Sequence, residues 1–193
     1  MTIKFLSAAL LAASLLISGC NDSSPAASAK AASVPVSVAA IAADATGFVV
    51  GAPMSARTVY VFFDSQCPHC SALWYAAKPL KSQAKFVWIP VGILNGASTS
   101  QGAALLAAAD PAAAMDEHEA SMMSKGGGIS ARSDTDAQKA AVAKNTALLT
   151  SFGFASIPTI VGTHARTGAL VTQEGAMPTE ALANLLGLQV PAK

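Results

Sequence analysis

Charged residues are scarce in this 193-residue sequence: Asp, Glu, Lys and Arg together make up 12% of it, and the formal net charge is +1. Such a chain offers no basic face for nucleic-acid phosphates and no acidic run for cations. The length fits one domain with appendages. Hydrophobic residues reach 52%, but alanine disperses much of that fraction along the chain. We therefore expect no nucleic-acid partner and a single continuously apolar segment.

Metal-ligating residues are also few. The chain has three cysteines and three histidines, whereas a structural zinc or iron–sulfur site needs about four ligands at suitable spacing. Haem attachment requires C-x-x-C-H, and Ser71 stands where that histidine would be. We therefore expect no metal and no cofactor. Of the histidines, His118 and His164 are expected to be ordinary solvated residues.

The continuously apolar segment is the first one, MTIKFLSAALLAASLLISGC. Lys4 makes its start positive, and the apolar stretch after it is too short to cross a bilayer comfortably. This pattern predicts a signal peptide over residues 1–19. The ending ISGC resembles the lipobox of bacterial lipoproteins, which implies that Cys20 is lipidated and becomes the mature N-terminus. The protein is then expected in the periplasm, anchored to a bacterial membrane by lipid, where disulfides persist.

The remaining chain divides by composition. Residues 20–46 are small, polar or alanine-rich, which predicts a flexible tether. From residue 47 short apolar runs alternate with helical patterns, as is typical of an α/β domain, so residues 47–193 are predicted to be that domain. Residues 98–130 form a predicted helical insertion, which Asp110-Pro111 should divide into two short helices.

The motif FFDSQCPHCS carries the chemistry, because it places Cys67 and Cys70 at the start of a predicted helix. A disulfide between residues this close removes little entropy from the unfolded chain, so a passive structural bridge fits poorly. The free N–H groups and the dipole of a helix N-terminus favour a thiolate at Cys67. His69 can add positive charge or a hydrogen bond to the same sulfur, and Pro68 is tolerated in a first helical turn. The pattern predicts a redox-active pair.

This arrangement resembles the thioredoxin superfamily, in which a strand ending in aromatic residues leads to C-x-x-C on a helix, and a later proline, here in the segment IPT, precedes a strand. The segments VYVFFDSQCPHCSALW and WIPVG, and the helical insertion, are similar to the catalytic domains of periplasmic DsbG and DsbC proteins. The resemblance implies a thioredoxin fold with a helical insertion between the first-half and second-half strands. It also implies that Cys67 attacks, that Cys70 resolves, and that Ile157 and Pro158 form the cis-proline loop that pairs with substrate peptide.

The resemblance implies a thiol:disulfide oxidoreductase that acts on exported proteins with cysteines and is turned over by a membrane redox partner. We favour a DsbG-like reductase or isomerase. The dipeptide Pro68-His69 is that of DsbA oxidases, so a disulfide oxidase is the alternative. A further alternative is a non-enzymatic lipoprotein that binds a partner or copper(I) through its thiols. The remoteness in sequence of Met115, Met122 and Met123 from the pair disfavours the copper site. DsbG and DsbC carry an N-terminal dimerisation module that has no counterpart here, so we expect a monomer.

Overall fold

Two apolar strands lie side by side at the centre of the protein in the computed structural model, which describes residues 34–191. In chain order the elements are α1 (Val38–Asp44), β1 (Phe48–Gly51), β2 (Thr58–Asp64), α2 (Pro68–Ala77) with a 3-10 turn at Lys78–Leu80, β3 (Lys85–Val91), α3 (Gly96–Leu106), α4 (Pro111–Met123), α5 (Asp136–Ser151), β4 (Thr159–Thr163), β5 (Leu170–Glu174) and α6 (Thr179–Leu186). The expected α/β class is confirmed. The predicted signal peptide and Cys20 lie outside the described residues.

The five strands form one mixed sheet in the order β1-β3-β2-β4-β5. β2 and β3 are parallel, and the other neighbouring pairs are antiparallel. Aromatic and β-branched residues fill β2, and every residue of it after Thr58 is buried, as expected for a strand covered on both faces. The C-x-x-C motif therefore follows directly after a strand that is buried along almost its whole length.

Four aromatic rings join α2, the helix that begins at the two cysteines, to the sheet. Phe48, Phe63, Trp74 and Trp88 make edge-to-face contacts with centroid distances from 4.9 to 6.5 Å. Each such pair adds about 0.5–1.5 kcal/mol beyond the burial of its area. This cluster fixes α2 against β1, β2 and β3, and with it the position of the two cysteines.

The folded domain starts before residue 47, so the predicted tether over residues 20–46 is wrong for its last part. Ile41 of α1 is fully buried, and the N–H of Val34 donates to the carbonyl of Ser151 at 2.8 Å. Ile41 and the partly buried Val36 and Val38 suffice here because the rest of the domain already provides the surface on which they pack. Such a contact leaves no helical stripe in the sequence.

The insertion lies between β3 and β4, and it contains two short helices as predicted. Asp110 caps α4 by accepting the N–H of Ala113 at 3.1 Å, and Pro111 occupies the first turn. The Nε1 of Trp74 donates to Oδ1 of Asp116 at 2.7 Å, which ties α4 to α2. Among residues 34–191, none of the helices combines the length and apolar character that a bilayer span requires.

Candidate active site

Cys67 and Cys70 occupy different environments although they are close in sequence. Cys67 is the N-cap of α2, and its sulfur accepts the N–H of Cys70 at 3.4 Å. It retains 6% of its surface, while Cys70 is fully buried, and the structure holds both as thiols. Pro68 and His69, between them, are exposed. An incoming sulfur can therefore reach Cys67 but not Cys70.

The electrostatics of the site separate the acidities of the two thiols. The hydrogen bond from the Cys70 thiol is the main influence that lowers the pKa of Cys67, to about 6, against the opposing effect of burial. The N–H groups of Cys70 and His69 and the charge of His69 assist. Burial raises the pKa of Cys70, and so do its hydrogen bond to Cys67 and the Cys67 charge. The pair thus consists of one nucleophile that is ready at neutral pH and one thiol that is kept protonated.

The loop before β4 lies against the reactive sulfur. The Ile157–Pro158 peptide bond is cis, and the carbonyl oxygen of Ile157 is 3.9 Å from the sulfur of Cys67. Residues 67 and 157 are thus brought together from the two halves of the chain, as the resemblance implies. A free backbone segment at this place can pair with an extended peptide.

Asp64, the last residue of β2, organises the two loops at the site. Its buried carboxylate accepts the N–H of Gln66 at 2.9 Å, of Ile93 at 2.8 Å and of Leu94 at 3.0 Å. These bonds connect the turn before Cys67 to the loop after β3. Sequence reasoning did not single out Asp64, because an acidic residue at the end of a strand is ordinarily solvated.

His118 is not the solvated residue that the sequence predicts. It is fully buried in α4, its Nδ1 accepts the N–H of Ile129 at 3.1 Å, and its Nε2 lies 2.7 Å from the carbonyl oxygen of Ser65. Since Nδ1 is an acceptor, Nε2 carries the proton and donates to Ser65. A Cβ on Gly128 would lie 2.4 Å from the ring, so this loop needs glycine there. His118 joins the insertion to the turn before Cys67, whereas His164 is a half-buried turn residue.

A cavity of about 180 Å³ lies beside the reactive sulfur, between α2 and the end of α4. Its lining residues are Cys67, Pro68, Ser71, Glu119, Met122 and Met123. Glu119 retains 2% of its surface, and burial raises its pKa to about 7, with a further contribution from the negative charge of Cys67. Sequence reasoning missed this carboxyl. Met122 and Met123 are remote from the two cysteines in sequence, but they lie beside Cys67 in the fold, so the argument against a copper site does not hold for them. Met115 is buried in the core.

The sequence profile of the family described as Thioredoxin-like domain matches residues 52–189, more than half of the chain. The chain belongs to the thioredoxin-like family. The expected thioredoxin fold with a helical insertion is thereby confirmed. Over residues 34–191, no cluster of His, Cys, Asp or Glu suited to a metal ion occurs.

Two curated thioredoxin-like relatives have similar sequences. The chain is 36% identical over 137 residues to the thiol:disulfide interchange protein DsbG of Pseudomonas aeruginosa, and the match covers 68% of this chain and 51% of that protein. It is 38% identical over 65 residues to DsbG of Escherichia coli, covering 33% of this chain and 26% of that protein. The chain thus spans about half or less of the length of the curated relatives that it matches.

Solved structures share the fold at lower identity. The catalytic domain of Proteus mirabilis ScsC superposes with a TM-score of 0.59 at 17% identity, over 77% of this chain and 96% of that one. The thiol-disulfide exchange protein α-DsbA2 of Wolbachia pipientis gives a TM-score of 0.59 at 20% identity, over 77% and 90%. These neighbours support the thioredoxin-like architecture.

The acidity of Cys67 predicts a pH-dependent alkylation rate for this thioredoxin-like site. Because the thiolate is the nucleophile, iodoacetamide should label Cys67 slowly at pH 4, faster as the pH rises through about 6, and at a constant rate near pH 8. Cys70 should remain unlabelled over this range, since burial raises its pKa and closes access. Mass spectrometry of the digested protein measures both rates. A midpoint near that of a free thiol would contradict the prediction.

His69→Ser is expected to raise the pKa of Cys67 and to make the disulfide less oxidising, because the thiolate loses an assisting charge. The charge of His69 is a smaller influence than the hydrogen bond from Cys70. We therefore expect a change of well under one pKa unit, which corresponds to less than roughly 30 mV for a two-electron couple. Thiolate absorbance and glutathione equilibria measure it. A change larger than that caused by Cys70→Ala would show that the histidine dominates.

Proposed function

We propose that this protein is a monomeric periplasmic thiol:disulfide oxidoreductase that reduces or isomerises disulfides of exported proteins, as a DsbG-like enzyme. The observation that carries the proposal is the pairing of an accessible, acidic Cys67 with a fully buried Cys70 beneath it, beside the Ile157–Pro158 loop. The similarity to two DsbG proteins supports the same class of chemistry.

The proposed reaction has two exchange steps. The Cys67 thiolate attacks one sulfur of a substrate disulfide, a mixed disulfide forms, and the other substrate sulfur leaves as a thiolate. Cys70 then loses its proton and attacks the sulfur of Cys67, which forms the Cys67–Cys70 disulfide and releases the substrate as a dithiol. A membrane redox partner returns two electrons. In isomerisation, the free substrate thiolate attacks another disulfide of the same substrate, and the sulfur displaced there attacks the substrate sulfur that is bonded to Cys67. A new substrate disulfide forms, and Cys67 leaves as the thiolate.

The surroundings of Cys67 fit a protein substrate. The backbone at Ile157 borders the sulfur and can pair with an extended chain. Pro68, Met122 and Met123 supply an apolar surface for neighbouring side chains. Methionine adapts to differently shaped partners, which suits an enzyme that meets many unfolded substrates.

The acidity of Cys67 favours the reductase or isomerase direction. Its pKa of about 6 is close to the value of about 7 found in reducing thioredoxin and far from the value of about 3.5 found in the oxidase DsbA. The less the thiolate is stabilised, the less oxidising the disulfide becomes. The dipeptide Pro68-His69 supports the second candidate, a disulfide oxidase.

Equilibration with a glutathione series, combined with substrate assays, tests the proposal. A reductase or isomerase should reduce insulin and rescue scrambled ribonuclease when a reductant is present. An oxidase should instead introduce disulfides into reduced ribonuclease and be more oxidising than the glutathione pool. Failure in all three assays by protein with intact thiols would overturn both candidates.

We propose in addition that a lipid on Cys20 holds the protein at a bacterial membrane. Several acyl chains on one residue anchor far more firmly than one chain. Cys20→Ser should therefore move the protein from the membrane fraction to the soluble periplasmic fraction, while exchange activity of the purified domain is kept. Fractionation with detection of incorporated palmitate measures both effects. A variant that still partitions fully with membranes would refute the anchor.

A further inference from the structure

Glu119 is a buried carboxyl that the two exchange steps leave without a role. It retains 2% of its surface and lines the same cavity as Cys67. Carboxylates are almost never buried to this degree unless they are paired. Among the described residues, none of the ion pairs includes Glu119, and the neighbouring hydroxyl of Ser71 only partly offsets the effect of burial on the pKa of this carboxyl. An acid held in this way costs stability, which invites a functional explanation.

We propose that Glu119 accepts and donates the proton of the substrate thiol that exchanges with Cys67. The proposal rests on the function proposed above. Displacement at a disulfide sulfur is in line, so a substrate sulfur that attacks Cys67 approaches from the side away from the Cys70 sulfur, and Cys70 itself is fully buried. The cavity opens beside Cys67, and Glu119 lines it together with Ser71. A sulfur in that cavity therefore borders both the reactive residue and a carboxyl.

The proton transfers balance in both directions. When the Cys67 thiolate attacks a substrate disulfide, the departing substrate thiolate takes the proton of the Glu119 carboxylic acid, which leaves a free thiol and a carboxylate. When the Cys67–Cys70 disulfide meets a substrate thiol, the Glu119 carboxylate removes the thiol proton. The resulting thiolate attacks Cys67, and the sulfur of Cys70 departs with the electron pair of the broken bond. No further oxidant or reductant is needed.

The charge of Cys67 prepares the carboxyl for each direction. Burial and the negative Cys67 thiolate both raise the pKa of Glu119, to about 7, so the reduced protein holds a substantial share of it as the acid. Disulfide formation removes the charge of Cys67 and lowers that pKa, which favours the base. Two other titratable side chains near Glu119 on α4 have partners of their own. Asp116 is paired with Lys78, and His118 is bound to Ser65 and Ile129, so neither of them exchanges a proton with Glu119.

Glu119→Gln tests the proposal, because it keeps the size and polarity of the side chain and removes the proton chemistry. The oxidised protein is mixed with 2-mercaptoethanol or with the more acidic trifluoroethanethiol, and mixed disulfide is counted after acid quench. At pH 6.5 we expect the variant to react with 2-mercaptoethanol about 100-fold more slowly than the wild type, the lower end of general-base effects. The difference in rate between the variant and the wild type should be smaller with trifluoroethanethiol. It should disappear at a pH above the pKa of the small thiol, where the thiol is already a thiolate.

Glu117→Gln is the matched control, since Glu117 is exposed on the same helix and does not line the cavity. It should react as the wild type does, and Glu119→Asp should recover part of the lost rate. A Glu119→Gln rate that equals the wild type, or that falls equally at every pH and for both thiols, would overturn the proposal and leave Glu119 a structural residue.

A measurement on the wild type covers the case in which Glu119→Gln fails to fold. Carboxyl-selective NMR should give Glu119 a lower pKa in the oxidised protein than in the reduced protein, and equal values would overturn the proposal. The proposed function can fail separately from this assignment. If the wild type shows the expected dependence of rate on pH and thiol acidity but exchanges no disulfide with protein substrates, the role of Glu119 stands and the proposed function is wrong.

Discussion

Cys70→Ala is expected to capture substrates as mixed disulfides and to suppress reductive turnover. The attacking sulfur of Cys67 stays accessible, so the first exchange step still occurs, but the release of a reduced product by Cys70 is lost and only a thiol of the substrate itself can free Cys67. We expect the turnover rate to fall by roughly 10³-fold or more, as when a nucleophile is removed from an active site. The pKa of Cys67 should also rise, because the hydrogen bond from Cys70 is the main influence that lowers it.

Non-reducing gels of periplasmic extracts, followed by mass spectrometry of the captured proteins, measure this result. The control is the double variant Cys67→Ser/Cys70→Ala, which should capture nothing. Glutathione-driven turnover of the purified variant gives the rate. If the single variant turned over substrates at the wild-type rate, Cys70 would not be the resolving thiol.

Asp64→Ala is expected to cost about 3 kcal/mol of the free energy of unfolding, near the value for an uncompensated loss of buried charge-assisted hydrogen bonds. The carboxylate is fully buried and accepts three backbone N–H groups, from Gln66, Ile93 and Leu94. Without it, those donors lose their acceptor, and the turn before Cys67 loses its connection to the loop after β3. Activity should therefore fall in the folded fraction as well.

Urea denaturation monitored by circular dichroism measures the loss. The matched control is Asp110→Ala, because that carboxylate caps α4 with one hydrogen bond to Ala113 and is exposed. A cap of this kind is worth about 1 kcal/mol. Equal losses in the two variants would show that the network around Asp64 does not stabilise the fold.

The redox pair could be predicted from the sequence because its chemistry is local. A strand, two cysteines at C-x-x-C spacing and a helix start occupy one short segment, and the helix N-terminus is enough to predict that Cys67 is acidic. The hydrogen bond from the Cys70 thiol, which is the larger influence, comes from the same turn. The relation of Pro158 to that pair came from resemblance, since no local pattern connects residues so far apart. Helices α3 and α4 were predicted from composition and from Asp110-Pro111, which act within a few residues.

His118 and Glu119 could not be predicted in the same way, because their burial depends on how the insertion packs on α2. A signal was nevertheless present. Met115 and Met122 are seven residues apart on α4, and His118 and Glu119 lie between them on the same helical stripe. Two titratable residues on a stripe of methionines indicate a face that is buried beside polar chemistry. The alanine-rich background of the helix hides that stripe from an average hydropathy.

The burial of Ile41 in α1 was not predicted, for a different reason. An alanine-rich segment with few large apolar residues has too little hydrophobic area to predict a packed helix by itself. The domain supplies the missing surface, so α1 forms only in its tertiary context. A sequence pattern shows the hydrophobic area of one segment, and it does not show the surface that other elements provide for that segment to pack on.

The cavity beside Cys67 has two sides that belong to separate parts of the chain. The sulfur chemistry comes from the start of α2, which is fixed to the sheet by aromatic rings, while Glu119, Met122 and Met123 come from the last turns of α4. Substitutions in those turns can change the size and polarity of accepted substrates without altering the backbone that holds the thiols. The outer turns of the insertion are therefore a place where substrate choice can change while the sequence of the C-x-x-C turn stays the same.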